Sequence, residues 1–224
     1  MITRVQYAVL GGTALAAVAL TAVQARLDRS VFERFIGGIN PLAAMVAVGA
    51  VALAALPYLR RHARFEVITR DGLRSGIRFA FVATPLFAAS AIAADLVLRY
   101  PEDMNVAVPE ALLFYPAIAF LVEVLLHALP LALLVTVFAR EGIRSNRQFW
   151  VLAAPVALIE AVVQAATAAT TATAIFSGLQ LVAFGLVQLH VFRRFGFISM
   201  FGFRLVYYCL WHILWGSLRL PLLF

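Results

Sequence analysis

The chain consists of seven long apolar runs separated by short segments that carry most of its charged residues. A helix needs about 20 apolar residues to cross the hydrocarbon core of a bilayer, and each run is near that length. We therefore predict an all-α, polytopic membrane bundle that forms one domain over residues 1–224. The predicted spans are about 5–25, 37–59, 77–98, 109–138, 148–168, 173–192 and 196–218.

Two of these runs contain internal features that affect the prediction. The fourth is long and carries Pro116 and Pro130, so we expect it to tilt or kink. The apolar stretch from 148 to 192 is too long for one helix, and we place a tight turn in TAATTATA (167–174). No small-residue cleavage site follows the first run at the right distance, so we expect a retained span rather than a signal peptide.

Composition and charge narrow the class of protein. All 18 basic residues are arginine, and the absence of lysine excludes a lysine Schiff base, including a retinal one. The formal net charge of +7 does not indicate nucleic-acid binding, because the arginines lie in short loops between apolar runs. That placement is typical of membrane orientation and of attraction to anionic lipids, so we predict membrane lipids as partners and no nucleic acid. The single Cys209 lies within a span and leaves no disulfide framework.

The arginines also predict an orientation. Five fall on one side of the predicted topology, at Arg26, Arg29, Arg34, Arg99 and Arg219, beside the acidic loop RYPEDMNVAVPE. A clear excess falls on the other side, at Arg4, Arg60, Arg61, Arg64, Arg70, Arg74, Arg78, Arg140, Arg144, Arg147, Arg193 and Arg194. Loops rich in arginine stay in the cytoplasm. We therefore expect a bacterial plasma (inner) membrane protein whose N-terminus is cytoplasmic and whose C-terminus is outside.

Polar residues inside the spans are costly in hydrocarbon and so need a partner or a function. Three pairs are four residues apart and share a helix face, namely Glu123 with His127, Glu160 with Gln164, and Tyr208 with His212. At about 1.5 Å per residue, all six lie about 16–24 Å from the cytoplasmic end of their span. We therefore predict that polar residues of spans 4, 5 and 7 lie at one depth in the membrane and form a site that exchanges a proton or binds an ion.

Structural interpretations of the same residues stay open. Glutamine and tyrosine side chains often hold membrane helices together by hydrogen bonds, and Glu123 with His127 could be a structural pair. His212 could belong to the aromatic belt at the outer interface, and His190 is expected at the cytoplasmic interface. For Asp95 and Arg204 we expect ion pairing or extension towards the headgroups.

The segments FLVEVLLH, FWVLAAPVALIEAVVQ and AFGLVQLHVFRRFGFISMFGFRLVYYCLWHILWG resemble the CAAX prenyl protease and bacteriocin-processing family of abortive-infection-like intramembrane endopeptidases. The resemblance covers residues 110–218, about the C-terminal half. It implies a helical bundle in which a glutamate activates water for peptide hydrolysis, while histidines and an asparagine orient that water or stabilise the oxyanion.

The sequence departs from the motifs of that family. Its paired glutamates followed by arginine correspond here to Val122, Glu123 and His127. Its phenylalanine followed by histidine corresponds to Glu160 and Gln164. Its last motif, histidine followed by asparagine or aspartate, can be aligned as His212 with Gly216 or as Tyr208 with His212. The resemblance implies either a diverged enzyme with rearranged catalytic residues or a bundle that has lost the reaction.

Three functional hypotheses follow. In the first, an intramembrane protease uses Glu123 as general base, His127 and His212 as orienting or oxyanion groups, Glu160 as auxiliary acid, and Gln164 and Tyr208 as supporting residues. In the second, a non-enzymatic subunit holds a divalent metal, haem or pigment through His127, His212 and Glu123. In the third, the bundle is a scaffold for another membrane protein. The sequence leaves the cofactor undetermined, with no cofactor or a divalent metal as the alternatives, and predicts a membrane-associated peptide or protein as substrate.

Overall fold

The computed structural model describes residues 2–69 and 71–224, and within these ranges it is helical without a β-strand. Seven of the helices are long and apolar enough to cross a membrane, which confirms the predicted all-α polytopic bundle. We number them spans 1 to 7: Arg4–Leu27, Pro41–Ala63, Gly72–Leu98, Ala111–Phe138, Asn146–Ala166, Thr171–Phe195 and Phe197–Leu223. The boundaries differ from the predicted ones by a few residues, most of all where span 3 begins and span 7 ends.

Side-chain caps fix where several spans begin. Asn40 accepts hydrogen bonds from the backbone N–H groups of Leu42 and Ala43, so span 2 starts at Pro41, whose missing N–H costs nothing there. Ser145 caps span 5 in the same way. Thr170 and Thr173 cap span 6 reciprocally, which places the break between spans 5 and 6 inside the predicted 167–174 turn.

Span 4 and span 7 each contain a widened π-helical segment, Glu123–Ala128 and Cys209–Trp215 respectively. In span 4 the backbone N–H of Leu129 bonds to the carbonyl of Val124, five residues earlier. Pro130 follows at once, and its missing N–H and bulky ring disturb the ordinary helical pattern just before it. The helix Ala111–Val122 continues through Pro116, so the predicted irregularity of span 4 lies at Pro130 alone. Such segments occur often at functional sites.

Spans 4 and 7 form the centre of the bundle. Span 4 packs against spans 1, 2, 5 and 7, whereas span 7 packs against spans 3, 4 and 6. The connection before span 3 fastens the start of span 7, because Glu66 and Val67 accept backbone hydrogen bonds from Phe197 and Ile198, both at 3.0 Å. Several polar side chains of spans 4 to 7 are buried between these helices, namely Glu123, His127, Glu160, Gln188 and Arg204.

The bundle has two distinct ends. The arginine-rich face, where spans 2, 4 and 6 end, carries Arg60, Arg61, Arg140, Arg193 and Arg194. The acidic-loop face, at the other end, carries the short helix Ser30–Ile36, the 3₁₀ turn Glu102–Met104 and the turn before Thr171.

Candidate functional site

Arg204 of span 7 lies at the centre of a buried polar cluster, and only 1% of its surface is exposed. Its Nε donates to Oε1 of Glu123 on span 4 at 2.6 Å. Its Nη1 and Nη2 donate to Oε1 and Oε2 of Glu160 on span 5, both at 2.7 Å. The Glu160 contact is therefore bidentate, the geometry in which arginine binds a carboxylate most strongly.

The remaining donors of Arg204 are also used. Nη2 donates to Oε1 of Gln188 on span 6 at 2.8 Å, and Nη1 donates to the hydroxyl oxygen of Tyr208 at 3.2 Å. The Gln188 amide in turn donates to Oε1 of Glu123. A guanidinium has five N–H donors, so the hydrogen-bonding capacity of Arg204 is filled by four spans. Arg204 thus acts as the hub that fixes how spans 4, 5, 6 and 7 meet.

His127 lies on the far side of the two carboxylates. Its Nδ1 is 3.3 Å from Oε2 of Glu123, and its Nε2 is 3.9 Å from Oε2 of Glu160. Among the described residues, neither imidazole nitrogen has a hydrogen-bond partner, and nor does Oε2 of Glu123. Gly185 on span 6 lies beside this ring and allows a close approach of span 5, because a Cβ there would lie 3.2 Å from the Cβ of Ala157. Two carboxylates and one guanidinium give this cluster one formal negative charge.

A cavity of about 70 Å³ opens beside this cluster on the side of the acidic-loop face. It is large enough for ordered water, which occupies a polar site of about 10–15 Å³ or more. Side chains from spans 5 and 7 supply most of its polar lining, namely Glu160, Gln164, Arg204, Tyr207, Tyr208 and His212. Four of the six predicted site residues therefore share this cavity. Glu123 and His127 do not line it, and both are fully buried.

His212 faces the cavity in a fixed orientation. Its Nδ1 is 2.7 Å from Oδ1 of Asn105, and because an amide oxygen only accepts, Nδ1 is the donor. The ring stacks on Tyr115 with the centroids 4.7 Å apart, and it forms a T-shaped contact with Tyr208, whose ring centroid is 4.8 Å away. His212 therefore lies inside the bundle rather than in an aromatic belt at the outer interface.

Asn105 comes from the loop between spans 3 and 4, and sequence reasoning missed it. The loop is anchored by the Tyr115 hydroxyl, which accepts from the backbone N–H of Val106 at 2.9 Å. Gly216 on span 7 makes space for the amide, because a Cβ there would lie 3.0 Å from Nδ2 of Asn105. An asparagine in a polar loop has no pattern that marks it as a partner of a histidine 107 positions away.

Arg204 and Gln188 were also left out of the predicted site. Arg204 forms ion pairs, as one of the two expectations had it, but it points into the bundle rather than towards the headgroups. Asp95 likewise forms an ion pair, with Arg219 at 2.7 Å, and it also accepts from the Trp215 indole. Arg219, expected on the outer side of the membrane, is fully buried and also donates to the carbonyl of Tyr100.

Metal ligation was one of the predicted uses of Glu123, His127 and His212. Glu123 and His127 are adjacent, whereas His212 is held by Asn105. Within 2–69 and 71–224, no group of three or more histidine, cysteine or carboxylate side chains is placed to hold a metal ion. The described geometry therefore offers acid–base and hydrogen-bonding groups around a water-sized cavity.

Comparisons with known proteins assign the chain to no group. No family model matches it, and no curated protein and no solved structure matches it either.

Proposed function

We propose that this protein is a membrane-embedded hydrolase of the intramembrane endopeptidase type, which cleaves a peptide bond in a membrane-associated substrate. The observation that carries the proposal is the His212 imidazole, which faces a polar cavity and is oriented by Asn105 at 2.7 Å. The resemblance of residues 110–218 to the intramembrane endopeptidase family supports the same reaction class.

In this proposal His212 is the general base. Because Nδ1 donates to Asn105, Nε2 carries the lone pair and accepts a proton from a cavity water. The resulting hydroxide attacks the carbonyl carbon of the scissile bond. When the C–N bond breaks, the imidazolium returns the proton to the leaving amine, so the base is regenerated and one water is consumed.

Tyr208 supplies the hydrogen bond to the developing oxyanion. Its oxygen accepts from Nη1 of Arg204, which leaves its own proton free to point into the cavity. Donors fixed in advance near a developing negative charge are among the largest contributions to catalysis. The Gln164 amide lines the same cavity and is a second donor within it.

Glu123, His127 and Glu160 become positioning residues in this scheme, although the sequence predicted Glu123 as the base. The Glu123 carboxylate is completely enclosed and accepts from both Arg204 and Gln188. It therefore has no access to a cavity water. Its effect on the reaction runs through Arg204, which holds Tyr208 in place.

The test of the proposal is cleavage in a defined membrane. The purified protein is reconstituted in liposomes and given one of two substrates, a fluorogenic peptide that carries an apolar tail or a bacterial membrane fraction. New N-termini in each substrate are mapped by mass spectrometry. We expect new N-termini that are missing with empty liposomes and with a His212→Gln protein purified in parallel. That variant controls for contaminating proteases.

Two outcomes would contradict the proposal. Equal cleavage by the wild-type and His212→Gln proteins would assign the activity to a contaminant or to another residue. A folded protein that cleaves neither substrate and contains stoichiometric metal or a chromophore would favour the non-enzymatic binding subunit instead.

We also infer the orientation of the protein in the membrane from its charge. The arginine-rich face is assigned to the cytoplasm, which places the candidate cavity in the outer half of the bundle. Alkaline phosphatase fused after Phe224 is expected to be active in a bacterial host, and green fluorescent protein at the same position is expected to be dark. A fluorescent fusion with inactive phosphatase would reverse the assignment.

A further inference from the structure

A second pocket, of about 310 Å³, lies on the arginine-rich face between the start of span 5 and the end of span 6. It is at the opposite end of the bundle from the cavity at His212. Its lining is Asn146, Phe149, Trp150, His190, Arg193 and Arg194. The pocket thus combines cationic, aromatic and hydrogen-bonding side chains, and the proposed hydrolase uses none of them.

The two arginines of this pocket lack acidic partners. Across the described ranges, neither Arg193 nor Arg194 forms an ion pair or a hydrogen bond with another side chain, and the first turn of span 5 contains no acidic residue. By contrast, Arg144 on the same face is paired with Glu141. The pocket therefore has an uncompensated positive charge.

Aromatic rings hold these arginines without using their donors. The guanidinium of Arg193 lies over Phe149, 4.4 Å from the ring centroid, and Phe149 is buried. The guanidinium of Arg194 lies 5.6 Å from the Phe195 centroid. A contact with a ring face fixes the position of a guanidinium but leaves its N–H groups free. Planar guanidinium donors match the oxygens of a phosphate group.

The other residues that line the pocket also suit an anionic headgroup. Asn146 is the first residue of span 5, where unpaired backbone N–H groups and the helix dipole favour an anion. The rings of Trp150 and His190 are parallel, with their centroids 6.1 Å apart, and form a flat wall. Trp150 is 41% exposed, which is typical of tryptophan at the level of lipid headgroups.

We propose that this pocket is a binding site for a phosphate group, supplied by the headgroup of an anionic phospholipid. Two unpaired arginines, an amide and a helix N-terminus surround a space at the level of the headgroups. Arg193 and Arg194 bind the phosphate oxygens, while Trp150 packs against the glycerol region. This site is specific, in contrast to the general attraction between basic loops and an anionic membrane surface.

The experiment measures lipid affinity by native mass spectrometry of the detergent-purified protein. The probes are dioctanoyl phosphatidylglycerol, its phosphatidylcholine counterpart and soluble glycerol 3-phosphate. The test variant is Arg193→Gln/Arg194→Gln. The matched control is Arg74→Gln/Arg140→Gln, which removes the same charge from exposed positions on the same face outside the pocket.

We expect the wild-type protein to bind phosphatidylglycerol more tightly than phosphatidylcholine. The Arg193/Arg194 variant should lose about tenfold or more of the phosphatidylglycerol affinity, and the control variant should keep it. Binding of glycerol 3-phosphate as tight as that of the lipid would keep the phosphate site but overturn its lipid source. An equal loss in both variants, or no loss in either, would overturn the site itself.

Discussion

Replacing His212 with glutamine is expected to lower the rate of peptide cleavage by about 10²–10⁴-fold, the contribution of a positioned general base. Glutamine retains a hydrogen-bonding group of similar reach, so the side chain can still contact Asn105. It cannot accept and return a proton. The expected loss is therefore in kcat, measured with the fluorogenic peptide in liposomes, with little change in thermal stability.

Control variants separate this role from a general effect of losing a histidine. His62→Gln, on the arginine-rich face, should keep wild-type activity, because His62 stacks on Tyr58 far from the cavity. Asn105→Ala should lower kcat less than His212→Gln does, since Asn105 orients the base without touching the substrate. Full activity of His212→Gln would remove His212 from the mechanism. A parallel loss of activity and folded protein would show that the residue is structural.

Replacing Arg204 with glutamine is expected to lower the free energy of unfolding by about 3–5 kcal/mol, the usual cost of breaking one side of a buried ion pair. The substitution leaves the carboxylates of Glu123 and Glu160 buried without their shared cation. The measurement is reversible unfolding by sodium dodecyl sulfate in mixed micelles, followed by circular dichroism. Exposed Arg74→Gln is the matched control and should change the stability by about 0.5 kcal/mol or less.

A compensated variant sharpens this test. Glu123→Gln and Glu160→Gln, introduced together with Arg204→Gln, convert the three charged members of the network to neutral amides. The triple variant should be more stable than Arg204→Gln alone, because no unpaired charge is left in the interior. If Arg204→Gln alone were as stable as wild type, the guanidinium would not be the hub of the bundle.

The fold could be predicted from the sequence because the length and hydropathy of an apolar segment indicate directly whether it can cross a membrane. The six predicted site residues were found by helical spacing, and four of them do line one cavity. Spacing and helix rise predict how deep a residue lies in the membrane. They do not predict how each helix is rotated about its own axis, and so they do not say which neighbour the side chain faces. The sequence therefore predicted Glu123 as the general base, and the rotation of span 4 places its side chain behind Arg204, outside the cavity lining.

For Arg204 the sequence left two expectations open, ion pairing or extension towards the headgroups, and the structure shows the ion pairs. Arg204 is the eighth residue of span 7, about 12 Å from the arginine-rich end, and a long side chain at that depth can reach the headgroups. What decides its direction is the pair of carboxylates on spans 4 and 5, which are far away in sequence. Asn105 was out of reach altogether, since only the folded loop brings it to His212.

The saturation of Arg204 has a consequence for how the protein is made. A ribosome delivers the fourth and fifth crossings to the bilayer well before the seventh, so Glu123 and Glu160 arrive while their common cation is still unsynthesised. Until that last crossing inserts, the two acids lack the counter-charge that they have in the finished protein. These buried ion pairs can therefore form only late in biogenesis, after span 7 has been made.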